Sequence, residues 1–131
     1  PGRADARARR GGIGAARALL ADPGACHLAG RAGPPRPLHT ATQANTTDRY
    51  AAAFWREQGA GRVVLARELS LAEIAEIHAA EPTLELEAFV HGAMCISYSG
   101  RCLLSNYLAG RDSNGGACIQ ACRWKFTVRA R

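Results

Sequence analysis

Residues 62–90 read RVVLARELSLAEIAEIHAAEPTLELEAFV. The first five, Arg62-Val63-Val64-Leu65-Ala66, are apolar and partly β-branched, which marks a short strand. Ser70-Leu71-Ala72-Glu73 is a capping box: a serine hydroxyl and a glutamate three residues on can satisfy each other's backbone N–H groups at a helix start. Leu71, Ile74 and Ile77 then give that helix an apolar stripe, and Pro82 stops it. Leu84 to Val90 is a second strand, ending at His91-Gly92. Strand, helix and strand in succession imply parallel pairing through a right-handed crossover.

The same alternation extends upstream. Ala18-Leu19-Leu20-Ala21 is a short apolar run that stops at Asp22-Pro23-Gly24, a sequence able to end a strand and cap the next helix. A weakly helical stretch over about 24–32 leads to the loop Gly33-Pro34-Pro35. The run Leu38–Thr42 ends at Gln43-Ala44-Asn45. Thr47 or Asp48 then caps a helix with Tyr50, Ala51, Phe54 and Trp55 on one face, Phe54 and Trp55 reading as core, and Gly59 and Gly61 end it. The order is β-α-β-α-β-α-β. Four such units make half of an eight-stranded barrel, or a small open sheet. Parallel α/β folds place chemistry at the carboxyl ends of strands. Here those ends present Asp22, then Gln43 and Asn45, then Arg67 and Glu68, then His91 and Cys95, which together form an expected rim.

The chain has 131 residues, one domain or part of a larger one. No apolar run of about 18 residues exists, so no membrane span is expected. The N-terminus lacks an apolar leader segment, and a reducing, cytoplasmic setting is the expectation, in which clustered cysteines serve as ligands more often than disulfides. Net charge is +6, and sixteen of the seventeen basic residues are arginine. Arg3, Arg7, Arg9 and Arg10, opposed only by Asp5, read as a solvated tail over residues 1–11. A second basic group, Arg101, Arg111, Arg123 and Lys125, is interleaved with cysteines and suits an anionic partner.

Downstream of the last strand, Glu87–Phe126 holds Cys95, Cys102, Cys118 and Cys122 in the pattern C-x6-C-x15-C-x3-C. A structural zinc site prefers tighter pairs, which Cys118 and Cys122 supply and Cys95 and Cys102 do not. An iron–sulfur cluster takes four thiolates from more varied loops. Buried unligated thiols are the third reading. Cys95, four residues after His91, also has the makings of a thiolate nucleophile. The fifth cysteine, Cys26, reads as core. Tyr98-Ser99-Gly100 reads as a tight turn, and Ser99 lacks the context of a serine nucleophile. Glu68 and Glu87 offer acid–base chemistry, in competition with ion pairing. Trp124 and Phe126 follow the last cysteine, where they pack, shield a cluster or stack on a base.

The pattern Glu87-x-Phe89-x-His91-Gly92-Ala93-Met94-Cys95-x-x-Tyr98-Ser99-Gly100-x-Cys102-x-x-Ser105 closely resembles the signature of peptidase family U32, the collagenase-like peptidases of unknown catalytic type. Ala21-Asp22-Pro23-Gly24, Thr42-Gln43-Ala44-Asn45, Arg67-Glu68-Leu69-Ser70 and Arg111-Asp112-x-Asn114-x-Gly116-x-Cys118-x-x-x-Cys122-Arg123 resemble the same family. The resemblance spans about residues 12–126. It implies a TIM-barrel-like domain and a [4Fe–4S] cluster on Cys95, Cys102, Cys118 and Cys122, with zinc as the alternative metal. It also implies hydroxylation of tRNA wobble uridine, of 23S rRNA cytidine or of the ubiquinone ring, with collagen proteolysis as the older reading; the run from His91 to Trp124 is most similar to the tRNA branch. Ala41 and Gly115 depart from the family pattern, and the family's opening strands and closing segments are missing, so residues 12–131 read as a partial TIM-barrel-like domain with its cysteine site at 87–126.

The expectation is therefore an iron–sulfur enzyme, or a piece of one, hydroxylating a tRNA pyrimidine. A peptidase acting on peptides and an inactive fragment are the alternatives. His91, Glu68, Arg67 and Tyr98 are the catalytic candidates. Gln43, Asn45, Arg101, Arg111 and Arg123 are the substrate-binding candidates.

Overall fold

A computed structural model describes residues 18–31 and 37–129. The expected tail over residues 1–11 and the loop Gly33-Pro34-Pro35 lie outside the described residues. Four strands, β1 (Ala18–Leu20), β2 (Leu38–Thr40), β3 (Ala60–Val64) and β4 (Glu85–Glu87), form one parallel sheet in the order β1-β2-β3-β4. Three helices connect them: α1 (Pro23–Arg31), α2 (Arg49–Glu57) and α3 (Leu71–Ala80). The alternation read from the sequence is correct. The sheet is open, and no closed barrel is formed by the described residues.

Each helix starts where local chemistry dictates. Asp22 accepts the Ala25 N–H at 2.8 Å, with Pro23 in the first helical position, where its missing N–H costs nothing. Asp48, rather than Thr47, caps α2 by accepting the Ala51 N–H at 2.8 Å. Ser70 and Glu73 complete the reciprocal capping box of α3. These hydrogen bonds hold the Glu73 carboxyl below its ordinary range, chiefly through the Ser70 N–H.

The core lies between the sheet and these helices. Trp55, Ala52, Val63, Leu65, Ile77, Leu84 and Cys26 are buried together. Burying each large side chain contributes roughly 1.5–3 kcal/mol before entropy is charged against it. Burial lifts the Cys26 thiol above its ordinary value, with Asp22 adding to the effect, so this cysteine is a packing residue.

Several boundaries differ from expectation. Gly61 lies inside β3, so Gly59, in the left-handed region at φ +87°, is the glycine that releases α2. The buried face of α2 is Ala52 and Trp55, three apart, while Tyr50 and Phe54 are exposed. Phe54 instead sets its ring edge against Trp55, centroids 5.1 Å apart. Leu71 is 85% exposed, and with Ile74, Leu84 and Leu86 it lines an open groove between α3 and β4. Strand β4 ends at Glu87; Phe89 and Val90 are exposed beyond it.

After β4 the cysteine-bearing region is more ordered than a loop. It contains a short helix α4 (Leu104–Ala109), a wide turn over Ser113–Ala117 and a single 3-10 turn at Ala121–Arg123. Gly110 ends α4 in the left-handed region at φ +61°.

Candidate functional site

The cysteine region is anchored on the carboxyl end of β3. Beyond that strand, the Ala66 N–H donates to Thr46 O at 3.0 Å, tying the β3 exit to the β2 exit. Arg67 then donates through its N–H to Ser99 Oγ (3.4 Å) and through Nη2 to Ser97 O (3.1 Å). Glu68 Oε1 accepts the Ser99 N–H at 3.0 Å. The turn itself closes by the Arg101 N–H donating to Tyr98 O at 3.1 Å, as the sequence predicts. Gly100 sits at φ +72°, and a Cβ built there would lie 2.5 Å from Gln43 O. Only glycine lets the turn sit this close to the short helical turn Thr42–Ala44 after β2.

From that anchor a run of contacts reaches the cysteines. The Cys102 thiol is held below its ordinary value, first by the Leu104 N–H and then by the Ser113 hydroxyl, against the opposing effect of burial; Ser97 and the Ser105 backbone add to it. Cys102 O accepts from Ser113 Oγ (2.9 Å) and Asn114 Nδ2 (3.0 Å). Ser105 Oγ donates to Cys118 Sγ (3.8 Å) and accepts the Ile119 N–H (3.2 Å), while the Gln120 N–H donates to Cys118 Sγ at 3.3 Å. Arg123 Nη2 donates to Met94 O at 3.0 Å, which brings the Cys95 segment to that of Cys122. Hydrogen bonds therefore tie the segment of Cys102 to that of Cys118, and the segment of Cys95 to that of Cys122.

All four of these thiols are free; Cys95, Cys118 and Cys122 are exposed and Cys102 is half-buried. Among the described residues, no three histidine, cysteine or carboxylate side chains converge on one metal-ion position. A single zinc would need its four sulfurs within about 4 Å of one another, given Zn–S bonds of about 2.3 Å. A four-iron cluster gives each thiolate a different iron and so spreads them more widely. The donor chemistry fits such a group. A hydroxyl and an N–H already donate to Cys118 Sγ, and bonds of this kind stabilise thiolates and tune cluster potentials.

The other expected residues divide clearly. Asp22 is the cap of α1 and not a free rim group. Glu87 pairs with Arg62 (3.5 Å), which also binds Glu85 (2.6 Å), so ion pairing occupies it. Burial is the largest single influence on Glu68 and opposes its ionisation. The Ser99 hydroxyl and N–H overcome it and hold the carboxyl below its ordinary value. His91 and Cys95 make no hydrogen bond with each other, and Tyr98 is exposed beside the anchored turn. Gln43 lies in the turn under Gly100, and Asn45 takes the left-handed region at φ 54°. Arg101 reaches only the neighbouring Gly100 O (3.3 Å).

Sequence reasoning missed the serines. Ser97, Ser99, Ser105 and Ser113 carry the contacts around the thiols, and Ser99 and Ser105 are buried. Their clustering among the cysteines was the available signal. It also missed a group of buried polar atoms without hydrogen-bond partners: Thr40 Oγ1, Asn45 Oδ1, Thr46 Oγ1 and Arg67 Nε. All belong to residues at or beyond the carboxyl ends of β2 and β3. Buried polar atoms are ordinarily bonded, so this end of the sheet has unused hydrogen-bonding capacity.

A parallel α/β sheet followed by cysteine-bearing segments beyond its carboxyl edge belongs to the class of folds whose ligand sites lie at strand ends. The chain belongs to peptidase family U32, whose model matches residues 8–131. It is 48% identical over 111 residues to tRNA hydroxylation protein P of Escherichia coli, covering 85% of this chain and 24% of that protein. It is 43% identical over 96 residues to the 23S rRNA 5-hydroxycytidine synthase of the same organism, 73% of this chain and 14% of that one. A collagenase of Porphyromonas gingivalis is 35% identical over 102 residues, 70% of this chain and 24% of that protein. The chain thus spans about a quarter of the length of the first of these relatives. No solved structure matches it. No helix among the described residues is long and apolar enough to cross a membrane.

Proposed function

We propose that this chain is part of an iron–sulfur enzyme that hydroxylates a pyrimidine in RNA, with the wobble uridine of tRNA as the substrate position. The observation that carries this reading is the pairing of four cysteine segments, one of them supplied with hydrogen-bond donors to its sulfur, beyond the carboxyl end of a parallel sheet. The names of the two Escherichia coli relatives, 48% and 43% identical, support RNA as the substrate. Cys95, Cys102, Cys118 and Cys122 would hold a [4Fe–4S] cluster. When bound, such a cluster would supply a redox-active centre at the strand ends.

The chain's own residues have defined tasks in this reading. Arg67 and Glu68 orient the Ser97–Gly100 turn, and with it the segment between Cys95 and Cys102. Asn45 Oδ1 and Arg67 Nε, buried and unbonded, supply one acceptor and one donor to a polar group arriving at the strand ends. The peptidase alternative has the collagenase relative in its favour. Against it, His91 and Cys95 form no nucleophile–base pair, and Ser99 is buried and committed to the anchor.

The test compares tRNA nucleosides from cells making the protein with those from cells making its Cys102→Ser variant. The expected result is a pyrimidine one oxygen heavier, lost in the variant. Identical nucleosides in both, together with gelatin cleavage that disappears in Cys95→Ser, would replace this reading with the peptidase one.

A further inference from the structure

Charge is partitioned sharply along this chain. From Ala88 to the C-terminus there are six basic residues against the single Asp112. In the sheet and its helices, Arg49, Arg56 and Arg62 are each paired with a carboxylate. In the cysteine region, Arg101, Arg111, Lys125 and Arg129 have no carboxylate partner among the described residues. Aromatic residues divide the same way. Trp55 is 4% exposed in the core, while Trp124 is 53% and Phe126 61% exposed. Both aromatics lie in Arg123-Trp124-Lys125-Phe126-Thr127-Val128-Arg129. This stretch leaves the 3-10 turn in an extended conformation at Trp124 (φ −76°, ψ 157°), and no helix or strand follows among the described residues. Arg123 fixes its start by the bond to Met94 O. Unpaired cations alternating with uncovered aromatic rings match the two needs of single-stranded nucleic acid, backbone neutralisation and base stacking.

We propose that Trp124 and Phe126, with Lys125 and Arg129 between and beyond them, form a stacking strip for unpaired bases of an RNA strand. The strip delivers that strand to the neighbouring cysteine site; the proposal rests on the RNA reading above and adds the residues that grip the substrate. Stacking tolerates any base and requires that the bases be unpaired. The strip therefore selects a single-stranded loop over a duplex.

The chain contains two tryptophans, and the buried one, Trp55, supplies constant emission. Titration of the full chain with a short oligouridylate is expected to quench Trp124 emission. Trp124→Ala is expected to weaken binding at least tenfold, and Trp124→Phe to restore it to within about threefold, because a benzene ring still stacks. Lys125→Ala should lower the slope of log affinity against log salt by about 0.7, the value for one phosphate contact on a single strand. Unchanged far-ultraviolet dichroism would show that each variant is folded. If the oligonucleotide binds without quenching and Trp124→Ala binds as tightly as the parent, the strip is wrong while the RNA reading stands. Equal affinity for polyphosphate, which has charge but no bases, also overturns it. If neither oligouridylate nor tRNA binds at low salt, the RNA reading itself falls and the strip with it.

Discussion

Gly100→Ala should be the most damaging single-methyl change in the cysteine region. Two costs combine there. At φ +72° an alanine is strained by about 1–2 kcal/mol. Its Cβ would also lie 2.5 Å from Gln43 O and 3.2 Å from Gln43 C and Cα, all backbone atoms that cannot swing aside. Relieving that contact means lifting the turn from the β2 exit, which strains the Ser99 bonds to Arg67 and Glu68, worth about 1 kcal/mol each. The total expected loss is about 2–4 kcal/mol, a fall in melting temperature of roughly 8–16 °C for a chain of this size. Gly110→Ala is the control: its φ is +61°, but nothing lies within 4 Å of the added carbon, so only the strain is paid. The assay is thermal unfolding by circular dichroism, with alkylation of Cys95 and Cys102 as a local probe. Equal melting temperatures for the two variants would refute the docking of the turn on the strand ends.

Other consequences can be measured on the same material. At pH 7 Cys102 should react with iodoacetamide well before Cys26. The first thiol is held below its ordinary value by hydrogen bonds, and the second is buried and raised; mass spectrometry of peptides after short exposures reads the order directly. The Glu73 carboxyl is depressed by the capping box, so its contribution is present above the ordinary glutamate value of about 4.3 and is lost as pH falls through the lower folded value. Glu73→Gln should therefore flatten the acid limb of the melting-temperature profile. Replacing Asp48 with alanine should cost about 1 kcal/mol by removing the cap of α2, seen as a lower urea midpoint with an unchanged slope.

Local chemistry was the legible part of this sequence. Asp22, Asp48 and the Ser70–Glu73 box announced three helix starts, since a cap needs only neighbours in sequence. The parallel order followed from the spacing of the runs between them. What failed was the choice of face. Tyr50, Phe54 and Leu71 fit helical stripes, but apolar periodicity marks a face without naming what covers it, and no described element lies over Leu71. Phe89 and Val90 extended a strand pattern past the point where β3 still offers partners. In the cysteine region the sequence shows the four thiols and their spacing, which carry the resemblance to the family signature. The anchor was not legible there. The bond between Glu68 and Ser99 spans 31 residues, and nothing in a linear pattern distinguishes a carboxylate that holds a turn from one that moves a proton.

Iron and acid-labile sulfide per chain, measured after anaerobic reconstitution, test the central claim most directly. The account predicts about four of each on the wild-type chain, with a brown absorbance lost in Cys102→Ser and in Cys118→Ser. A colourless protein that takes up one zinc and no iron would contradict it.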